Sequence, residues 1–278
     1  MNFSLKPALR VQNLEVIFRD ASGVVHALSD LSFSLPPNGF VSLIGPSGCG
    51  KSTILRVLAG LVPPTRGEVH FSTDQPKVGM VFQKSNLMPW RRVIDNIGLP
   101  LELKGFPKET ITERAQELIN LVGLQGFERA YPRDLSGGMA QRVAIARSLM
   151  QDPDILLLDE PFGALDALTR ERMGDELLNI WQARRKTVLL VTHSIAEAIY
   201  LSDRVLVLSS RPGSIIRELQ VDLSRPRTPE MRYSDTFSEL THTLRDTLQE
   251  DNGMVNGSNQ NEGTYQSSKN SIGKGSYK

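Results

Sequence analysis

Apolar stretches of strand length fill the first eighty positions. Leu9-Arg10-Val11-Gln12 alternates, Val16-Ile17-Phe18 follows, and Leu31-Ser32-Phe33-Ser34-Leu35 alternates cleanly. That period of two predicts half-buried strands. Past the turn Pro36-Pro37-Asn38-Gly39, residues 40–44 read as a buried strand and residues 54–59 as a helix. Residues 68–71 and 78–82 predict two more strands. From about 91 to 149 the apolar spacing lengthens to a helical one. Residues 112–123 form one helix with a glycine stop, and Ser136 is a natural N-cap for a helix over 139–150. Strands return at 155–158, 187–191 and 204–208, with a helix over 170–184 between them. Strands alternating with helices predict crossovers in a parallel sheet. The pattern is therefore an α/β core interrupted by a mostly helical insert at about 91–149.

The segment between the strand at 40–44 and the next helix reads Gly45, Pro46, Ser47, Gly48, Cys49, Gly50, Lys51, Ser52, Thr53. It fits G-x-x-x-x-G-K-[ST], and it lies between a strand and a helix, where a phosphate cradle needs it. Small residues let backbone N–H groups turn inward, and the helix N-terminus adds partial positive charge. Lys51 brings a full positive charge to the outer phosphates, and the Ser52 hydroxyl suits Mg²⁺. The bland alternative is a glycine turn entering a helix.

Composition narrows the setting. The 278 residues carry a formal charge of +1, so no broad basic field points to nucleic acid. Cys49 is the single cysteine, which excludes an intramolecular disulfide and predicts a reducing, cytosolic setting. No apolar run approaches the roughly 20 residues that span a bilayer, and the first residues lack a secretory apolar core. Any membrane role is expected to come through a partner. Residues 223–232 read as an Arg/Pro linker and 235–249 as an amphipathic helix. Asn, Gln, Ser and Gly fill 17 of the last 28 positions, a composition that predicts disorder over 251–278.

A second constellation completes the chemistry. Ile155-Leu156-Leu157-Leu158-Asp159-Glu160 is an apolar strand ending in two acids. A strand this apolar is buried, so its acids emerge at the edge where α/β sheets bind ligands. Asp159 suits a metal ion, and Glu160 suits an attacking water. Solvated carboxylates at a strand end are the alternative.

With these motifs in this order, the chain resembles an ATP-binding cassette (ABC) transporter ATPase over about residues 8–222. Leu135-Ser136-Gly137-Gly138-Met139 resembles the family signature, Gln83 its Q-loop, Gly163-Ala164-Leu165-Asp166 its D-loop, and His193 its switch histidine. The resemblance implies a P-loop NTPase (RecA-like) core with an antiparallel β subdomain and a helical signature subdomain. It implies that Gln83 bridges Mg²⁺ and water, that His193 donates to the γ-phosphate, and that Ser136, Gly137, Gly138, Met139 and Asp166 complete a nucleotide site. Phe18 falls where the family stacks an aromatic on adenine; a core position is the alternative. Gly163 stands where many relatives have serine, and Ala140 where the residue is often basic.

The resemblance further implies a head-to-tail dimer, each signature facing the nucleotide of the other copy. Ser85-Asn86-Leu87-Met88-Pro89-Trp90 is apolar for a loop. It suits a dock for an integral membrane permease near Leu87 to Trp90, or else Trp90 packs within the insert. Local wording resembles the nitrate, sulfonate, taurine and bicarbonate importers. That implies an energy-coupling ATPase on the cytoplasmic face of the membrane, served indirectly by an external solute-binding protein. A soluble ABC ATPase without a permease and a small-molecule phosphotransferase are the competing readings.

Overall fold

The computed structural model describes residues 6–20 and 23–260. Two sheets organise it. The first is antiparallel, with order β2-β1-β4, built from β1 (Leu9–Asp20), β2 (Gly23–Leu35) and β4 (Arg66–Phe71). β1 is one long strand, not two pieces, with irregular register around Asn13, which sits at φ 48.

The second sheet has order β5-β6-β7-β3-β8-β9. Its strands are β3 (Phe40–Ile44), β5 (Val78–Val81), β6 (Ile155–Asp159), β7 (Thr187–Val191), β8 (Arg204–Leu208) and β9 (Ile215–Gln220). All neighbours pair in parallel except β9, which runs antiparallel to β8. Side chains alternate between the two faces. Val41, Leu43, Leu157, Leu189 and Leu206 pack with β1, β2 and helix α1 (Lys51–Leu58). Phe40, Leu156, Leu158, Leu190 and Val207 pack on the opposite face with the remaining helices.

Those helices are α2 (Val93–Glu102), α3 (Lys108–Leu121), α4 (Gly137–Leu149), α5 (Ala167–Arg184), α6 (Ile195–Leu201) and α7 (Asp235–Gln260). α2, α3 and α4 occupy the predicted helical stretch. α1 begins at Lys51, earlier than the apolar spacing suggested, because the first turn is the phosphate-loop end itself. α7 continues past Gln249 to Gln260; the part of the predicted disordered tail at 261–278 lies outside the described residues. No helix among the described residues is long and apolar enough to cross a membrane.

Candidate functional site

Parallel strands β6, β7 and β3 are immediate neighbours, so the segments that follow them emerge on one edge of the sheet. β3 delivers residues 45–50, β6 delivers Asp159 and Glu160, and β7 delivers Thr192 and His193. A cleft of about 230 Å³ opens there, lined by Phe18, Val25, Ala27, Ser47, Gly48, Gly50, Lys51, Ser52, Thr53, Glu160 and Arg211. Phe18 is 41% exposed and belongs to this cleft, not to the core.

The loop is shaped for an anion. Gly50 has φ 109, and a Cβ there would lie 2.8 Å from the Ala27 carbonyl oxygen, so only glycine fits. No side chain caps α1 and no acid lies in its first turn. Its N-terminal amides are thus left for an outside acceptor. Lys51 is buried, and its Nζ donates to the carbonyls of Gly45 at 2.9 Å and Pro46 at 2.8 Å. Two carbonyl oxygens hold the ammonium at the loop, where phosphate oxygens would meet it. Burial pushes the Cys49 thiol above its ordinary value, with Lys51 acting in the opposite sense.

The acids face that loop. Ser52 Oγ donates to Asp159 Oδ1 at 3.0 Å. Burial raises the Asp159 carboxyl above its ordinary value; the Ser52 bond opposes this and the charge on Glu160 adds to it. Glu160 occupies a left-handed backbone conformation, φ 45, which is costly for a residue with a Cβ. Its Oε2 accepts from His193 Nδ1 at 3.2 Å and from Gln83 Nε2 at 3.5 Å. Two residues from two separate segments therefore converge on one carboxylate oxygen of a third. Behind them Thr192 Oγ1 donates to Glu197 at 2.6 Å, and burial raises the carboxyl of Glu197.

The signature residues stand apart. Ser136 caps α4, its Oγ accepting from Met139 N at 3.3 Å. Gly137 lies against Leu165 and Gly138 against Thr169 and Met173. Asp166 caps α5, accepting from Thr169 N at 3.0 Å, which lowers its carboxyl pKa. None of Ser136, Gly137, Gly138, Met139 and Asp166 lines the cleft.

Comparison with known proteins decides the family. A family model described as "ABC transporter" matches residues 28–163. An uncharacterised ABC transporter ATP-binding protein of Methanocaldococcus jannaschii is 49% identical over 252 residues, covering 89% of this chain and 93% of that relative. The chain belongs to the ABC transporter family. A taurine import ATP-binding protein of Rhizobium johnstonii is 46% identical over 251 residues, 86% of this chain and 96% of that protein. The dimeric structure of an ATP-binding cassette in a post-hydrolysis state, bound to ADP and Pi, superposes with TM-score 0.67 at 33% identity. It covers 78% of this chain and 100% of that one. As an ABC ATP-binding subunit, the protein is an ATP hydrolase.

Two polar tethers join the signature helix of this ABC ATPase to the Q-loop, and sequence reasoning missed both. Gln141, buried on α4, donates to the Phe82 carbonyl at 3.1 Å. Arg147 donates to the carbonyls of Asn86 at 2.9 Å and Ser85 at 2.7 Å, and burial lowers its pKa. A polar residue at a buried helical position was the available signal for Gln141. The next loop is held by Asn96, whose amide accepts from Met88 N at 2.8 Å and donates to the Met88, Arg91 and Arg92 carbonyls. So fixed, Trp90 projects outward at 71% exposure and does not pack within the insert. It borders a groove of about 660 Å³ that includes Arg91, Arg92, Glu102, Phe106 and Tyr131.

Proposed function

We propose that this chain is the energy-coupling ATPase of a binding-protein-dependent importer, for a sulfonate-type or other small anionic solute. The observation that carries this reading is the preformed groove beside an outward-facing Trp90. A large apolar residue held open at the surface suits a partner's side chain. The permease fits that groove, at the cytoplasmic face of a membrane, and the solute receptor acts through the permease. The taurine-import relative supports the solute class. Residues 1–222 form the ATPase unit in this reading, followed by a linker and C-terminal helix.

The donor set at the cleft suits Mg²⁺. Ser52 Oγ and Asp159 Oδ1 are hard oxygens 3.0 Å apart, and the buried carboxylate gains from a cation. Among the described residues no cluster of three or more His, Cys, Asp and Glu side chains forms a metal cage, which fits an ion completed by phosphate and water oxygens. Ser52 and Asp159, with Gln83, would hold it, and when bound it would offset the charge of the triphosphate.

The chain's own residues do the rest. Amides of residues 45–53 and the Lys51 ammonium bind the triphosphate, and Phe18 stacks on the base. Glu160 orients a water and accepts its proton as the water oxygen attacks the γ-phosphorus. The bond from that phosphorus to the bridging oxygen breaks, leaving ADP and inorganic phosphate. A neutral His193 that donates from Nδ1 to Glu160 has no second N–H to give. Its ring is about half exposed, so it can swing that N–H onto the γ-phosphate when nucleotide enters. Ser136, Gly137, Gly138 and Met139 act on the nucleotide held by a second copy, with Asp166 at the same interface.

Co-expression with a permease encoded nearby tests the importer reading. The parent is expected to co-purify with membranes, and Trp90→Ala to lose most of that association while retaining ATP binding. A parent that stays fully soluble beside the permease would overturn it.

A further inference from the structure

Arg211 lines the cleft from outside the phosphate loop. Its Nε and Nη2 both donate to the Gly48 carbonyl oxygen, at 2.9 and 2.7 Å. A charged fork on one oxygen fixes a peptide more firmly than a single neutral bond. Gly48 has φ 76 and no side chain of its own, and the N–H of that peptide, on Cys49, makes only a long bond of 3.4 Å to the Pro46 carbonyl.

The segment carrying Arg211 is tied down on both sides. Toward β2, Gly213 N donates to the Ala27 carbonyl at 3.0 Å and Ser29 N to the Gly213 carbonyl at 3.1 Å. Toward the C-terminus, Ser210 N and Ser210 Oγ both donate to Asp251 Oδ2 at 2.7 Å. Asp251 belongs to α7, which docks through buried Phe237 and Leu244 and through Arg217 donating to Thr247 Oγ1 at 2.9 Å. One carboxylate on the last helix thus grips the residue next to Arg211, and Arg211 grips the phosphate loop.

We propose that Arg211 is a positioning residue of the phosphate loop, held by Asp251, so that docking of α7 sets how tightly nucleotide is bound. This rests on the reading of the cleft as the nucleotide site. A loop already fixed at Gly48 loses less freedom when phosphates arrive. By linkage, nucleotide must strengthen the docking of α7 by the same factor.

The test uses the full chain, a fluorescent ATP analogue for Kd, and steady-state hydrolysis for KM and kcat. Arg211→Ala is expected to raise Kd and KM roughly tenfold, the worth of a charge-assisted hydrogen bond, with a smaller effect on kcat. Arg211→Lys should recover part of the loss, since an ammonium can still donate to the carbonyl. Asp251→Ala should weaken binding roughly threefold, and the double variant should bind no more weakly than Arg211→Ala alone. Melting without nucleotide should be alike for the parent, Arg211→Ala and Arg211→Lys, and lower for Asp251→Ala, which loses both bonds to Ser210. A Kd within twofold of the parent for Arg211→Ala, or additive losses in the double variant, overturns the proposal. A parent that binds no ATP would instead overturn the reading of the cleft.

Discussion

The phosphate-loop edge and the signature helix are built on opposite plans. At the edge, four neighbouring parallel strands, β5, β6, β7 and β3, deliver a cation, two acids, an amide and an imidazole to one side of the sheet inside one chain. The start of α4 sets a serine cap and two glycines against Leu165 and α5, away from that cleft. Its polar links to the edge run through Gln141 to Phe82 and Arg147 to Ser85 and Asn86. One region gathers its parts within a single copy; the other, in the proposed mechanism, works on a second copy. The difference separates binding ATP, which one copy can do, from hydrolysing it, which in the proposed mechanism takes two.

The sharpest way to break this contrast is Glu160→Gln. Hydrolysis should fall roughly 10²–10⁴-fold, the usual loss of a general base, while ATP binding survives and the copies stay paired in ATP during size-exclusion chromatography. Unchanged turnover, or a monomer with both ATP and ADP, would show the edge does not work as described.

Next in size is a mixing experiment. Lys51→Ala disables the edge and Ser136→Arg disables the signature, so each variant alone should be inactive. Mixed dimers hold one intact site, made of Lys51 from one copy and Ser136 from the other. Random pairing should then restore up to about a quarter of parent activity. No recovery on mixing would mean that the two regions act within one copy.

The smallest effect is in pH. Burial holds the folded Asp159 carboxyl above its ordinary 3.8. Its raised folded pKa makes the apo fold relatively more stable at low pH, and that contribution is lost as pH rises through the folded value. Cation binding needs the ionised form. The Mg²⁺-dependent part of ATP affinity should therefore weaken on acidification at a pH above 3.8, measured by calorimetry with and without Mg²⁺, and Asp159→Asn should remove that dependence.

The sequence made the phosphate edge legible because its parts are local. Residues 45–53 are contiguous, and the apolar run at Ile155 to Leu158 announces both burial and the acids that follow. Strands β7 and β8 fell where their apolar runs lie. β9 escaped because only Ile215 and Leu219 of its six residues are even partly covered, so no inward face shows. α6 spans only seven residues, too few to display a period. The left-handed turn at Glu160 has no glycine to mark it. The pairing of Arg211 with Gly48 spans a separation of 163 positions, which no local pattern encodes. Asp166 was singled out through the D-loop resemblance, and its visible work here is to cap α5.

The single amide of Asn96 carries a mechanical consequence. It closes the turn from Met88 to Arg92 with bonds at both ends, and it grows from the first turn of α2. A turn cross-braced in this way has low compliance. A load applied at Trp90 finds no soft joint in which to dissipate, so displacement passes into α2 and, through the shared core, into α4. Trp90 and Ser136 then stand at two ends of one packed insert, joined through α2 and α4.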